Sequence, residues 1–139
     1  MSRRKHKLLV DVWLAVEQIN AFIADTPTFA AFAADPRTRS AVNWQLAIVG
    51  EATNKLRQED PPLERPSARQ IIGLRNRLVH AYDGIDDASI WDIVCLHLPP
   101  LRAEVRRQIA ALERGESGGA NWAGLRAAAT RKPTNATAL

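Results

Sequence analysis

The chain has 139 residues, and its 19 Lys and Arg against 15 Asp and Glu give a formal net charge of +4 at pH 7. This length fits one domain, and a composition of 46% hydrophobic and 24% charged residues is typical of a folded globule rather than a disordered chain. A single cysteine, Cys95, excludes a disulfide framework and a thiolate zinc site, and no apolar run approaches the roughly 20 residues of a membrane-spanning helix.

The first predicted element is an amphipathic helix over about residues 5–24. Its apolar residues recur at three- and four-residue steps and form one wide face, made of Leu8, Leu9, Val12, Trp13, Val16, Ile19 and Ile23. Because Asp11 and Glu17 interrupt the apolar character behind the basic N-terminus, this segment does not read as a secretion signal. We therefore expect a cytoplasmic protein that does not associate with a membrane.

Two helices are predicted next. Thr26 is the expected N-cap of a short helix over 28–34, and Asp35 is the expected N-cap of a longer helix that runs to about residue 58. The longer helix has apolar residues on two sides, which are Val42, Leu46, Val49 and Leu56 on one side and Trp44 and Ile48 on the other. Two apolar sides predict two contacts, either within a bundle or with a second subunit.

The remaining predicted helices follow a proline-rich connector at 60–66. Ser67 is the expected N-cap of a helix that ends between residues 79 and 82, and Asp86 or Asp87 starts the last helix. Prolines inside the last pattern, Pro99 and Pro100, predict a kink because they lack a backbone donor. The sequence thus predicts an all-α antiparallel bundle of four to five helices over 1–114 and a flexible tail over 115–139.

The candidate catalytic and binding side chains are concentrated in residues 71–83. On a helical wheel Arg75 falls in the middle of the apolar arc, whereas Arg77 falls on the polar side. A guanidinium keeps its proton, so a buried one needs a carboxylate or a phosphate as partner. The pattern leaves structural and functional alternatives open for Arg75. It is either an arginine that reaches solvent at the edge of the bundle or pairs with Glu51 or Asp83, or a phosphate-binding or catalytic arginine.

Two further side chains follow Arg75. His80 lies four residues after Asn76 and shares its face; it is either a helix-end surface residue or a proton-transfer group, because imidazole titrates near neutral pH. Tyr82, the only tyrosine, is expected at the edge of the core with its hydroxyl exposed. No cluster of Asp, Glu, His and Cys indicates a metal site, and no cofactor is expected.

The pattern Arg75-x-x-x-x-His80-x-Tyr82 strongly resembles the R-x-x-x-x-H-x-Y motif of the HEPN superfamily. More narrowly, it resembles the HepT-like branch, which is the toxin half of bacterial HepT/MntA toxin–antitoxin pairs. The flanking sequence is similar as well, and the resemblance covers about residues 8–114. One departure is Ala68, where many relatives have a tryptophan.

The resemblance implies an endoribonuclease toxin that cleaves tRNA or mRNA without a metal ion. Two copies of the motif would meet at a homodimer interface and form one composite, positively charged cleft. Arg75 would hold the scissile phosphate, and His80 would assist proton transfer as the RNA 2′-OH attacks that phosphate. Two non-enzymatic alternatives stay open: a HEPN module that only binds nucleotide, RNA or its nucleotidyltransferase partner, and a plain bundle with a structural Arg75.

Other residues are assigned supporting roles. The resemblance implies that Tyr82 is adenylylated by an MntA-like nucleotidyltransferase antitoxin, which would block the cleft. Asn76 is suited to bond a phosphoryl oxygen or to orient His80, and Glu51 is either a carboxylate that orients Arg75 or a surface charge. Arg65 and Arg69 lie on the approach to the motif and are weaker candidates for contacts with an RNA backbone.

Overall fold

The structure, a computed structural model, describes residues 2–59, 67–80 and 85–115. The elements in these ranges are α1 (Ser2–Ile23), α2 (Phe29–Ala33), α3 (Pro36–Glu59), α4 (Ala68–His80), α5 (Asp87–Asp92), a π-helical segment (Ile93–His97) and α6 (Leu98–Gly115). These three ranges contain no strand, so the predicted all-α fold is confirmed. Within the same ranges, no helix has the length and apolar character needed to cross a membrane.

The long helix α3 lies at the centre of the packing. It contacts both α1 and α4, and α1 also contacts α6. The side chains between these helices are buried, as the predicted apolar faces require; those with 1% exposure or less include Leu9, Val12, Trp13, Val16, Ile19, Val42, Leu46, Val49, Leu56, Ile71, Leu101, Val105 and Ile109. Burying one such side chain stabilises the fold by about 1.5–3 kcal/mol. Helix α3 is therefore a firm support for α4.

Two predicted helix starts are confirmed by their caps. Asp35 Oδ1 accepts from the backbone amides of Arg37 and Thr38, both at 3.2 Å, and Thr38 Oγ1 donates to Oδ2 at 2.8 Å. The side-chain hydrogen bond from Thr38 lowers the pKa of the Asp35 carboxyl. Asp86 caps α5 by accepting from the Ser89 amide at 2.6 Å, a bond that lowers its pKa too.

One of two other predicted caps is corrected by the structure, whereas Ser67 stands at its predicted position and its carbonyl accepts from the Ile71 amide at 3.1 Å. Helix α2 is capped by Thr28, whose hydroxyl accepts from the Ala31 amide at 3.2 Å, so the prediction of Thr26 as the cap was wrong by two residues. Ser67 does precede α4, but its φ of 64° is left-handed, whereas an N-cap is usually extended. Its hydroxyl lies 2.7 Å from His97 Nδ1, so a distant contact holds this helix start.

The last predicted helix is divided by a π-helical turn next to its two prolines. The Leu98 amide donates to the carbonyl of Ile93, five residues earlier. Pro99 and Pro100 cannot donate, and their rings crowd the carbonyls one turn earlier, so the regular four-residue ladder is interrupted at this point. The tail predicted over 115–139 falls, apart from Gly115, outside the described residues.

Candidate functional site

Helices α3 and α4 lie close together at Gly50. A Cβ atom at this position would lie 2.2 Å from Arg75 Cβ, 2.8 Å from Arg75 Cγ and 3.2 Å from the Ile71 carbonyl oxygen. Only glycine leaves room for the Cβ and Cγ atoms of Arg75 at this contact. Gly50 therefore allows α4 to pack close enough to α3 to position Arg75. Sequence reasoning gave Gly50 no role, although a glycine inside a predicted helix is a signal of close packing.

We expect Gly50→Ala to destabilise the fold by about 1–3 kcal/mol, since the added methyl overpacks the contact between α3 and α4. The matched control is Gly73→Ala on α4, because no atom lies within 4 Å of a Cβ built there. That control is expected to stabilise the fold by about 0.5–1 kcal/mol through helix propensity. Urea unfolding measures both, and equal effects of the two substitutions would contradict the close approach.

Arg75 is the centre of a small charged cluster. Its Nη2 lies 2.7 Å from Glu51 Oε2, and its Nη1 donates to Asn76 Oδ1 at 3.0 Å. Lys55 Nζ lies 3.7 Å from the other Glu51 oxygen, so one carboxylate serves two cations and the cluster keeps a positive charge. A guanidinium has five N–H donors, so Arg75 retains donors for a phosphate while Glu51 holds it.

The cluster lies in an open groove of about 320 Å³ between α1, α3 and α4, called here the Arg75 groove. Its other lining residues are both apolar and charged, and they are Lys7, Leu8, Asp11, Trp44, Ala47, Ile48, Ala52 and Val79. Trp44 is 69% exposed, and Ile48 and Val79 are exposed beside it. A contiguous apolar patch next to a charged cluster is typical of an interaction surface.

His80 is the last residue of α4, and its side chain is exposed. Because Arg75 and His80 are five residues apart in one helix, they project about 140° apart. His80 accordingly does not line the Arg75 groove. Asn76 bonds Arg75 and, within the described ranges, makes no hydrogen bond to His80.

The remaining predicted residues divide into two groups. Arg69 is exposed on α4 and lines a different groove on the other side of that helix. Arg65, Asp83 and Tyr82 lie outside the described residues. Among the residues that are described, no group of three or more His, Cys, Asp or Glu is placed to hold a metal ion.

Comparison with known proteins identifies the family. The family model described as Ribonuclease HepT-like matches residues 14–108, a region that contains both Arg75 and His80. The chain belongs to the HepT-like ribonuclease family. The resemblance stated from the sequence is thereby confirmed.

Two relatives of this HepT-like chain illustrate the similarity. The protein named "Probable ribonuclease HepT" of Thermococcus cleftensis is 31% identical over 107 residues, which are 76% of this chain and 96% of that protein. The protein named "Putative RNase MJ1380" of Methanocaldococcus jannaschii is 33% identical over 110 residues, which cover 76% of this chain and 97% of the relative. No solved structure gives a significant match.

Proposed function

We propose that this HepT-like ribonuclease is the toxin of a toxin–antitoxin pair and cleaves RNA in the cytoplasm without a metal ion. The observation that carries the proposal is the placement of Arg75, held by Glu51 in an open groove, with His80 exposed at the end of the same helix. In the proposed reaction the RNA 2′-OH attacks the adjacent phosphate. The bond to the 5′-oxygen breaks, leaving a cyclic phosphate end and a 5′-hydroxyl.

Arg75 binds the scissile phosphate in this mechanism. Its guanidinium can donate two parallel hydrogen bonds to phosphoryl oxygens and offset the negative charge that grows during attack. The side chains of Arg75 and Glu51 are 26% and 39% exposed, and ion pairs that contact water to this extent are weak. Phosphate can therefore take a share of the guanidinium donors without a large loss of stability.

His80 transfers protons. An exposed imidazole can accept the proton of the 2′-OH or donate a proton to the departing 5′-oxygen. One imidazole does not hold both protonation states at once, whereas two copies of the chain supply a base and an acid together. The chemistry thus favours a composite site with two motifs.

The proposed homodimer forms through the Arg75 groove. A two-fold contact places the same patch of each copy against the other, so Trp44, Ile48 and Val79 would be covered and the two Arg75 clusters would lie near each other. Because each cluster carries two cations and one carboxylate, the shared cleft would be positive and would attract the RNA backbone. This geometry supports the composite cleft that the motif predicts.

Trp44→Glu is expected to convert the dimer into monomers at micromolar concentration and to lower RNA cleavage at least tenfold, because a charge would be buried in the apolar patch. Sedimentation velocity and a cleavage assay on the same samples measure both effects. Phe29→Glu is the control, since Phe29 is also an exposed apolar side chain (42%) and does not line the groove. A Trp44→Glu protein that stays dimeric would rule out this face as the interface.

We further propose that an MntA-like nucleotidyltransferase antitoxin silences the enzyme by adenylylating Tyr82. Tyr82 follows His80 by two residues in the sequence, so an AMP group on its hydroxyl would add bulk and a negative phosphate near the motif. That phosphate would compete with RNA for Arg75 and repel the substrate backbone. Family membership and the motif position of Tyr82 support this regulation.

A further inference from the structure

A second open groove, of about 350 Å³, lies on the opposite side of α4 from Arg75, against α5 and the π-helical segment. It is called here the outer groove. Six of its nine described lining residues are polar or charged, and the full set is Arg69, Gln70, Gly73, Leu74, Arg77, Ser89, Asp92, Ile93 and His97. The proposed mechanism uses none of these side chains.

Two arginines on one stripe of α4 give the outer groove its charge. Arg69 and Arg77 are exposed, and neither forms a salt bridge with a residue that the structure describes. They are eight residues apart, so their backbones are separated by about 12 Å along the helix and they project to the same side. Gly73 lies midway between them with open space where a side chain would be, so the stripe is unobstructed.

The opposite wall of the outer groove is held in an unusual conformation. His97 ends the π-helical segment, and π-helical turns occur frequently at functional sites. Its Nδ1 is bonded at 2.7 Å to Ser67, whose left-handed φ of 64° is uncommon for a residue other than glycine. The second ring nitrogen of His97 makes no hydrogen bond to any residue in the described ranges.

The charges facing the outer groove favour an anion. Among the described residues that line it, Asp92 is the only carboxylate, against two guanidinium groups. Asp86 is close enough to Arg77 for that cation to lower its pKa, but its carboxylate is already engaged in capping α5. The two guanidinium groups outnumber the Asp92 carboxylate, so this side of α4 carries a net positive charge.

We propose that the outer groove binds the phosphate backbone of the RNA strand that flanks the cleaved bond and leads this strand to His80. Arg77 and His80 are three residues apart and thus neighbours on the helix surface, so the stripe that begins at Arg69 ends at the proposed proton-transfer group. Two arginines whose backbones are about 12 Å apart along the helix would contact more than one phosphate and read no base. The proposal rests on the proposed ribonuclease function and adds a requirement for substrate RNA that extends beyond the cleaved bond.

The test compares two double variants that each remove two positive charges. Arg69→Gln/Arg77→Gln alters the outer groove, and Arg106→Gln/Arg114→Gln is the matched control, with exposed arginines at the same eight-residue spacing on α6. RNA binding is measured as a function of salt in a His80→Ala background, so that no cleavage occurs. The groove variant is expected to bind a 20-nucleotide RNA at least tenfold more weakly than the control, and its salt slope should fall by about 1.4, which corresponds to two phosphate contacts.

A third variant controls for misfolding of the groove variant. Asp92→Asn removes the carboxylate from the same groove and is expected to tighten RNA binding two- to fivefold, a gain that a damaged fold would not give. In cleavage assays with His80 present, the groove variant should lose at least tenfold more activity on the long RNA than on a dinucleotide.

The outcomes separate this inference from the proposed function. Absence of cleavage by the wild type would overturn the ribonuclease function, while the binding comparison would still test the groove. Equal RNA affinities of the groove variant and the control would overturn the groove. Loss of binding to a nucleotidyltransferase partner with unchanged RNA binding would assign the surface to that protein and would likewise overturn it.

Discussion

Replacing His80 with alanine is expected to lower the rate of RNA cleavage at least 100-fold. A positioned acid or base typically contributes 10²–10⁴ to the rate, and His80 supplies the proposed proton transfer. The side chain is exposed at the end of α4, so its removal should change the free energy of unfolding by less than about 0.5 kcal/mol. Single-turnover cleavage, urea unfolding and sedimentation measure the cleavage rate, the free energy of unfolding and the oligomeric state on one preparation.

The control for His80→Ala is truncation of another exposed side chain, Arg106→Ala on α6, which should leave cleavage within about twofold of the wild type. A His80→Ala enzyme with the full cleavage rate would remove this histidine from the mechanism. Loss of cleavage together with loss of the dimer would assign His80 to assembly instead.

Arg75→Ala is expected to lower kcat by about 100- to 1000-fold, the cost that is usual when one preorganised donor to a developing negative charge is removed. Arg75→Lys should recover only part of this loss, because an ammonium group is a point charge and cannot form the two parallel bonds of a guanidinium. Stability should fall by no more than about 1 kcal/mol, since the pair with Glu51 contacts water. Cleavage kinetics and urea unfolding separate the two effects.

The chain offers a closely matched control for Arg75. Arg39 pairs with Asp87 at 2.9 Å with 32% and 36% exposure, so it is another interhelical ion pair of similar burial away from the motif. Arg39→Ala should cost a similar amount of stability and leave cleavage nearly unchanged. If both arginine variants cleave RNA at the wild-type rate, Arg75 has only the structural role that the sequence left open.

Much of the fold could be predicted from the sequence because the signals are local. Asp35 and Asp86 cap helices through amides two to three residues away, and a carboxylate in that position is readable without tertiary structure. The prolines at 99 and 100 predicted an interruption of the last helix, but not the π-helical turn at Ile93–His97 that lies just before them. The start of α4 is different, because Ser67 is held by His97, 30 residues away, and no local pattern indicates that contact.

In the candidate site, too, the features with local signals could be predicted, and those that depend on distant contacts could not. The helical period placed Arg75 among apolar residues, and Glu51 was one of its two predicted carboxylate partners. The choice between them required the packing of α4 on α3, which depends on Gly50. Arg77 was correctly predicted as an exposed charge, but its alignment with Arg69 in a groove depends on the position of the π-helical segment, which the sequence does not specify.

Cleavage of a total tRNA pool in EDTA tests the central claim most directly. The sample is purified protein treated with phosphodiesterase, with the unmodified mass of Tyr82 confirmed, and His80→Ala is assayed beside it. We expect new ends carrying cyclic phosphate with the wild type and none with His80→Ala. Intact tRNA with the unmodified wild type, or equal cleavage by both proteins, would contradict it.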